Sequence, residues 1–341
     1  MKFNRGINIG GYLSQCVHSQ EHYQNFIGEE DIRRIAGLGF DHIRLPIDYE
    51  VLESDEGIKK PEGYAYVSQV VFWCQKYNLN VVLDLHKAYG YDFNHAGDES
   101  KNNLFTHPEL QQRFIRLWET IALEYCNYSH VAFELLNEVV EEENAKAWND
   151  LIGRTVEAIR LVAKKRPIIY GGIRWNSADT LKYLDIPREE NIIFTFHLYE
   201  PLIFTHQKAY WVEKIDKQKD IFYPETMEYY RQHSEPLGVQ GSAVLNSKSQ
   251  TMGFEFIKEM VLEAVKAAEN AGVSLYCGEF GVIDQAPVKD TLRWFEDVDK
   301  VFREFNIGCA LWTYKEKDFG LIDSHYDEIR EDIISLWTDK R

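Results

Sequence analysis

The chain has 341 residues, a 45% hydrophobic share and a formal net charge of −17. That length suits a single α/β barrel with a large core as well as it suits two domains. The acidity argues against a nucleic-acid or anionic-membrane partner, since both need basic patches, and favours a neutral substrate.

Met1–Gly6 carries no apolar leader and enters a strand pattern at once, so a cytoplasmic location is expected, or an extracellular one if a leader was removed. The first strand is read over Gly6–Gly10. An amphipathic helix over Glu29–Leu38 follows, closed by Gly39 as a C′ residue. Next come a strand over His42–Pro46 carrying Arg44, a helix over Tyr66–Tyr77, and a strand over Asn80–His86. A helix over Glu109–Tyr125 leads to the run Val131–Asn137, which Glu138 closes. A helix over Asn144–Lys164 precedes strands over Pro167–Gly171 and Asn191–His197, with Tyr199 just beyond the second. After a long aromatic-rich stretch, a helix over Gly253–Ala271 ends at Gly272. A strand over Ser274–Glu279, a helix over Val288–Phe305 with Asp290 near its start, and a strand over Gly308–Trp312 complete the chain.

These strands are short and apolar, as strands buried on both faces are. Eight of them alternating with helices predict one (β/α)8 TIM barrel over residues 1–341. Residues 200–252 are too long for a structureless loop in a compact domain, so a small helical insertion over the barrel mouth is expected after strand six. Five cysteines, several of them inside apolar runs and none at metal-ligand spacing, read as buried free thiols in a reducing compartment. No metal and no cofactor are expected. No segment is long and apolar enough to span a membrane, and without heptads the chain is expected to be a monomer.

The chemistry concentrates on strand ends. Glu138 and Glu279 each close an apolar run where a parallel barrel builds its active site. Two carboxyl groups across such a mouth are the minimum needed to cleave a glycosidic bond with retention, one protonated and the other ionised. Glu134, two residues apart from neighbours of like orientation, shares a face with Ala132, Leu136 and Glu138 if the strand continues. Buried there it needs a cation, and Arg44 is the candidate partner for Glu134, for Glu279 or for both. His86 and His197 also end strands. Without a His-x-His pair or an HExxH segment, sugar hydroxyls or the catalytic acid suit them better than a metal. Tyr199 could hold a carboxylate ionised, and Trp312 offers a flat face for a pyranose ring.

Taken together, Arg44, His86, Asn137, Glu138, His197, Tyr199, Glu279 and Trp312 resemble glycoside hydrolase family 5 in order and strand placement, over essentially the whole chain. Phe204–Ala209 is similar to a clostridial branch of that family with a subdomain after strand six. The resemblance implies Glu138 as acid and then base, Glu279 as nucleophile, and Asn137 on the 2-hydroxyl of the sugar being cleaved. It places Arg44 and Tyr199 on Glu279, His86 and His197 along the site, and Trp312 beneath the sugar. The implied substrate is a soluble β-1,4 or mixed β-1,3/1,4 glucan or its oligosaccharides. Lys87 departs from the second histidine of many family cellulases. A wall built from residues 89–93 and 314–320 would favour exo action. An exo-β-glucosidase or a β-mannanase is the alternative within the family, and a catalytically silent sugar-binding barrel is the alternative outside it.

Overall fold

A computed structural model describes residues 1 and 3–338. Its centre is a closed parallel barrel with strands in chain order: β1 Arg5–Asn8, β2 His42–Asp48, β3 Asn80–Lys87, β4 Val131–Glu134, β5 Ile168–Gly171, β6 Ile192–Leu198, β7 Ser274–Phe280 and β8 Gly308–Leu311. Amphipathic helices cover it: α1 Glu29–Leu38, α2 Pro61–Lys76, α3 Pro108–Tyr125, α4 Ala145–Val162, α5 Phe254–Ala271, α6 Val288–Glu304 and α7 Arg330–Thr338. Gly39 and Gly272 close α1 and α5 with φ of 96° and 66°, a conformation glycine adopts without steric cost. After β5 the regular helix is reduced to a 3₁₀ segment, Ala178–Tyr183.

The expected alternation along the fourth strand fails past Glu134. Leu135 gives its carbonyl to the Trp118 indole at 3.0 Å, and the Asn137 N–H turns to the Leu85 carbonyl at 3.1 Å. The chain therefore leaves the ladder early, and Leu136 packs in the outer core with Leu135 instead of lining the barrel with Ala132. Glu138 reaches the mouth from a curled segment, which period-two reasoning does not describe.

Inside the barrel, Val82, Ala132, Ile169, Tyr276 and Ala310 form an apolar layer. Two residues further along three of the same strands, Asp84, Glu134 and Gly278 begin a polar layer that also takes in Asn8 and Arg44, all four side chains fully buried. A charged floor of this kind persists where its charges are paired, and of these four side chains only Asp84 has an atom, Oδ1, with no hydrogen-bond partner among the described residues.

Between β6 and α5 the chain forms short helices at Leu202–Thr205, Met227–Ser234 and Ser242–Asn246. The Gln207 carboxamide holds this segment by bonding Ile221 in both directions, 2.9 and 3.0 Å. Asp290 lies in the first turn of α6, but its carboxylate accepts the Tyr223 N–H at 3.0 Å, so it ties the segment to the barrel rather than capping its own helix. All five cysteines are unpaired. Cys74, Cys277 and Cys309 are buried as expected, whereas Cys16 and Cys126 are only half-buried, because one sits in a loop and the other ends a helix.

Candidate active site

Arg44 organises the mouth. Its five N–H donors make five hydrogen bonds: Nε and one terminal nitrogen clasp both oxygens of Glu134 at 2.8 and 2.9 Å, and the remaining contacts reach Asn8 at 3.0 Å, Asn137 at 2.8 Å and Glu279 at 2.8 Å. Asp84 adds an ion pair at 3.0 Å. One buried cation thus touches three carboxyl groups, and its charge is held firmly by them against the opposing effect of burial. Burial still pushes Asp84 up to about 7 and Glu134 up to about 6, with Arg44 opposing both.

Glu279 reaches this cation through a bulge. Strand pairing runs Phe196 with Cys277 and then His197 with Glu279, skipping Gly278. The extra residue turns the Glu279 side chain toward the axis. A Cβ on Gly278 would come within 3.0 Å of Thr195 and 3.2 Å of the His197 ring, so a side chain before Glu279 would press on the imidazole that faces both carboxyl groups. Glu279 Oε1 takes the Arg44 bond, and Oε2 accepts from the Tyr199 hydroxyl at 3.0 Å.

Among the described residues, no lysine or arginine pairs with Glu138. His197 Nδ1 lies 2.7 Å from its Oε1 and 3.8 Å from Glu279 Oε2. Burial holds His197 well below its ordinary pKa, and nearby Arg44 adds to the effect, so the ring is neutral. The ring nitrogen facing both carboxyl groups engages Glu138 through Oε1 and leaves Oε2 for another partner. Burial first, and the Glu279 charge second, raise the Glu138 carboxyl well above the usual range. Burial also raises Glu279, but Arg44 opposes it there and Tyr199 donates to it. Of the two carboxyl groups, Glu138 therefore keeps the proton.

His86 donates from Nδ1 toward Asp84 at 2.7 Å and lies parallel to the Trp312 indole, ring centres 5.9 Å apart. Burial lowers its pKa to about 4. Trp312 is 7% exposed, with Gly10 pressed against its edge. The eight residues read from the sequence thus converge, together with two it did not single out. Asp84 sits two positions before His86, so strand alternation alone could have marked it. Asn8 joins the site by accepting from Arg44 and by donating to the Gly278 carbonyl, both at 3.0 Å.

Lys87 is not free to act as a simple stand-in for histidine. Its ammonium pairs with Asp92 at 3.0 Å and approaches Asp48 at 3.8 Å. Among the described residues, two sets have ligand atoms close enough for a metal, each within 4.8 Å: Glu138, His197 and Glu279, and His18, Asp48 and Glu50. In the first, the ligand atoms are engaged with one another, His197 Nδ1 lying 2.7 Å from Glu138 Oε1. In the second, the hydrogen bonds that His18 donates to Asp48 and Cys16 raise it to about 10, and a protonated imidazole has no lone pair to give.

The family profile for cellulase (glycosyl hydrolase family 5) matches residues 6–318. Endoglucanase C of Acetivibrio thermocellus is 38% identical over 98% of this chain and 98% of its own length. Cellodextrinase A of Ruminococcus flavefaciens is 39% identical over 91% of this chain and 86% of its own. Among solved structures, Thermotoga maritima Cel5A in complex with mannotriose superposes with a TM-score of 0.74 at 25% identity, covering 98% of this chain and 97% of that one.

Proposed function

Since the chain belongs to glycosyl hydrolase family 5, we infer that it hydrolyses β-1,4 or mixed β-1,3/1,4 glucosidic bonds in soluble glucans and their oligosaccharides, with retention of configuration. One observation carries the mechanism: oxygens of Glu138 and Glu279 lie within 4.8 Å of one another, and only Glu279 touches the buried cation. Retaining glycosidases hold their carboxyl groups ~5–5.5 Å apart, too close for the water that inversion places between the second carboxylate and the sugar.

In the first step a Glu279 oxygen attacks the anomeric carbon, the bond to the leaving oxygen breaks, and that oxygen takes the proton from Glu138. In the second, the Glu138 carboxylate removes a proton from water, whose oxygen attacks the same carbon and releases Glu279. The Asn137 carboxamide oxygen accepts from Arg44, which turns its NH2 group toward a sugar hydroxyl. That contact contributes most if it tightens at the transition state. Trp312 supplies the floor beneath the ring, and His86 and His197 its walls.

Proton NMR of the first product from an aryl β-cellobioside should show the β anomer, and an initial α anomer would overturn the mechanism. The kcat/KM profile should be bell-shaped. Activity falls at low pH as Glu279 is protonated, and falls again as pH rises through the elevated Glu138 pKa. Replacing Tyr199 by Phe removes one donor to the nucleophile and should cost roughly 10- to 100-fold in kcat/KM, the range for a hydrogen bond to a charged group. Activity that survives EDTA would separate this reading from metal-assisted hydrolysis. A panel of barley β-glucan, carboxymethyl cellulose, laminarin, mannan and cello-oligosaccharides ranks the substrates. The ladder or monosaccharide products distinguish endo from exo cleavage.

A further inference from the structure

Three strand ends converge on Gln15, a residue of the loop after β1 held at φ 51°. Its N–H donates to Asp48 at the end of β2, 3.0 Å away, and Asp48 is fully buried. Its carbonyl accepts from the Lys317 ammonium, which reaches across from the loop after β8 and lies over Gly11. Its carboxamide nitrogen stands 2.9 Å from His86 Nε2 on β3. Because the His86 proton is on Nδ1, facing Asp84 at 2.7 Å, Nε2 keeps a lone pair. The Gln15 NH2 group must therefore face that lone pair, and the carboxamide oxygen points the other way. Among the described residues that oxygen has no hydrogen-bond partner.

The barrel order says which sugar could use it. Acid and nucleophile sit on β4 and β7, with β5 and β6 on one side of the line between them and β8, β1, β2 and β3 on the other. A ring resting on Trp312, just past β8, is the sugar that Glu279 attacks. The chain beyond it, away from the leaving group, runs over the ends of β1 to β3. We propose that Gln15 determines specificity for the second sugar on this non-reducing side, its carboxamide oxygen accepting a hydroxyl of that sugar while Asp48 and Lys317 clamp its backbone. The assignment rests on the hydrolytic reading above and adds the residue that makes a disaccharide unit preferable to a single glucose.

The test compares kcat/KM for 2,4-dinitrophenyl β-cellobioside and the matching β-glucoside, whose activated leaving group keeps the shorter substrate measurable. In Gln15→Ala the cellobioside-to-glucoside ratio should fall about tenfold, the worth of one well-made hydrogen bond. Gln15→Met, which preserves side-chain volume, should fall alike. A loss through His86 alone would lower both substrates together and leave the ratio unchanged. An unchanged ratio in both variants overturns the assignment while leaving the hydrolytic reading intact. A parent enzyme that cleaves neither substrate ends both.

Discussion

Glu279→Gln should lower turnover of cello-oligosaccharides by roughly 10⁵-fold, the scale on which single members of a covalent catalytic unit act. The change is nearly isosteric, and a carboxamide oxygen can still accept from Arg44 at the 2.8 Å position that Oε1 occupies. What disappears is the nucleophile, so no glycosyl-enzyme forms. Glu138→Gln should differ in kind. It removes the proton donor and later the base, a contribution of about 10²- to 10⁴-fold on glucan. With a dinitrophenyl leaving group, which departs without a proton, the first step should be far less affected and the glycosyl-enzyme should accumulate. The high-pH limb of the profile should vanish with the Glu138 proton. Burst kinetics and the pH profile measure both expectations. Near-parental turnover in either variant would remove the assignment of roles.

Arg44→Met should be the most destabilising single change near the site. It strands Asp84, Glu134 and Glu279, which lie 3.0, 2.8 and 2.8 Å from the guanidinium. Removing one partner of a buried ion pair costs about 3–5 kcal/mol, because the remaining charge has no solvent to receive it. The sign of the pH dependence follows from the same contacts. Asp84 and Glu134 already stand at about 7 and about 6 in the folded protein, with Arg44 holding them down. Without it both rise further above their unfolded values. Neutral carboxyls favour the folded state, so the variant keeps most stability below the unfolded carboxylate range near ~4 and loses it as pH climbs through the raised values. Urea unfolding at acid and at mildly alkaline pH should show the gap to the parent widening with pH. A constant gap would mean that Arg44 acts by packing alone. Arg44→Lys, with one charge but no fork, should fall between them.

The parts of the site legible in the sequence share one property. Glu138, Glu279, His86 and His197 each close a short apolar run, and such runs are strands whose ends face solvent or substrate. The helices were legible for a related reason: a 3.6-residue apolar repeat marks the face that packs on a sheet, and α1 begins and ends where that repeat and Gly39 place it. Asp84 was within reach of the same reasoning. The early end of β4 was not. It depends on the Trp118 indole capturing the Leu135 carbonyl from 17 positions away, and no alternation pattern inside 131–138 contains that event.

The order of apolar runs and amphipathic stretches by itself determined that eight strands would alternate with helices and that Glu279 would stand at the end of one and Glu138 just beyond another. Burial of non-polar surface acts on short, periodic patterns that a linear string displays. Only the folded chain decided which carboxyl keeps the proton, how a bulge at Gly278 aims Glu279, and why Gln15 faces His86. Those outcomes depend on one guanidinium meeting acids as far as 235 positions away. Coulomb energy in a buried site is set by distances of a few ångströms in space, and separation along the chain carries no record of them.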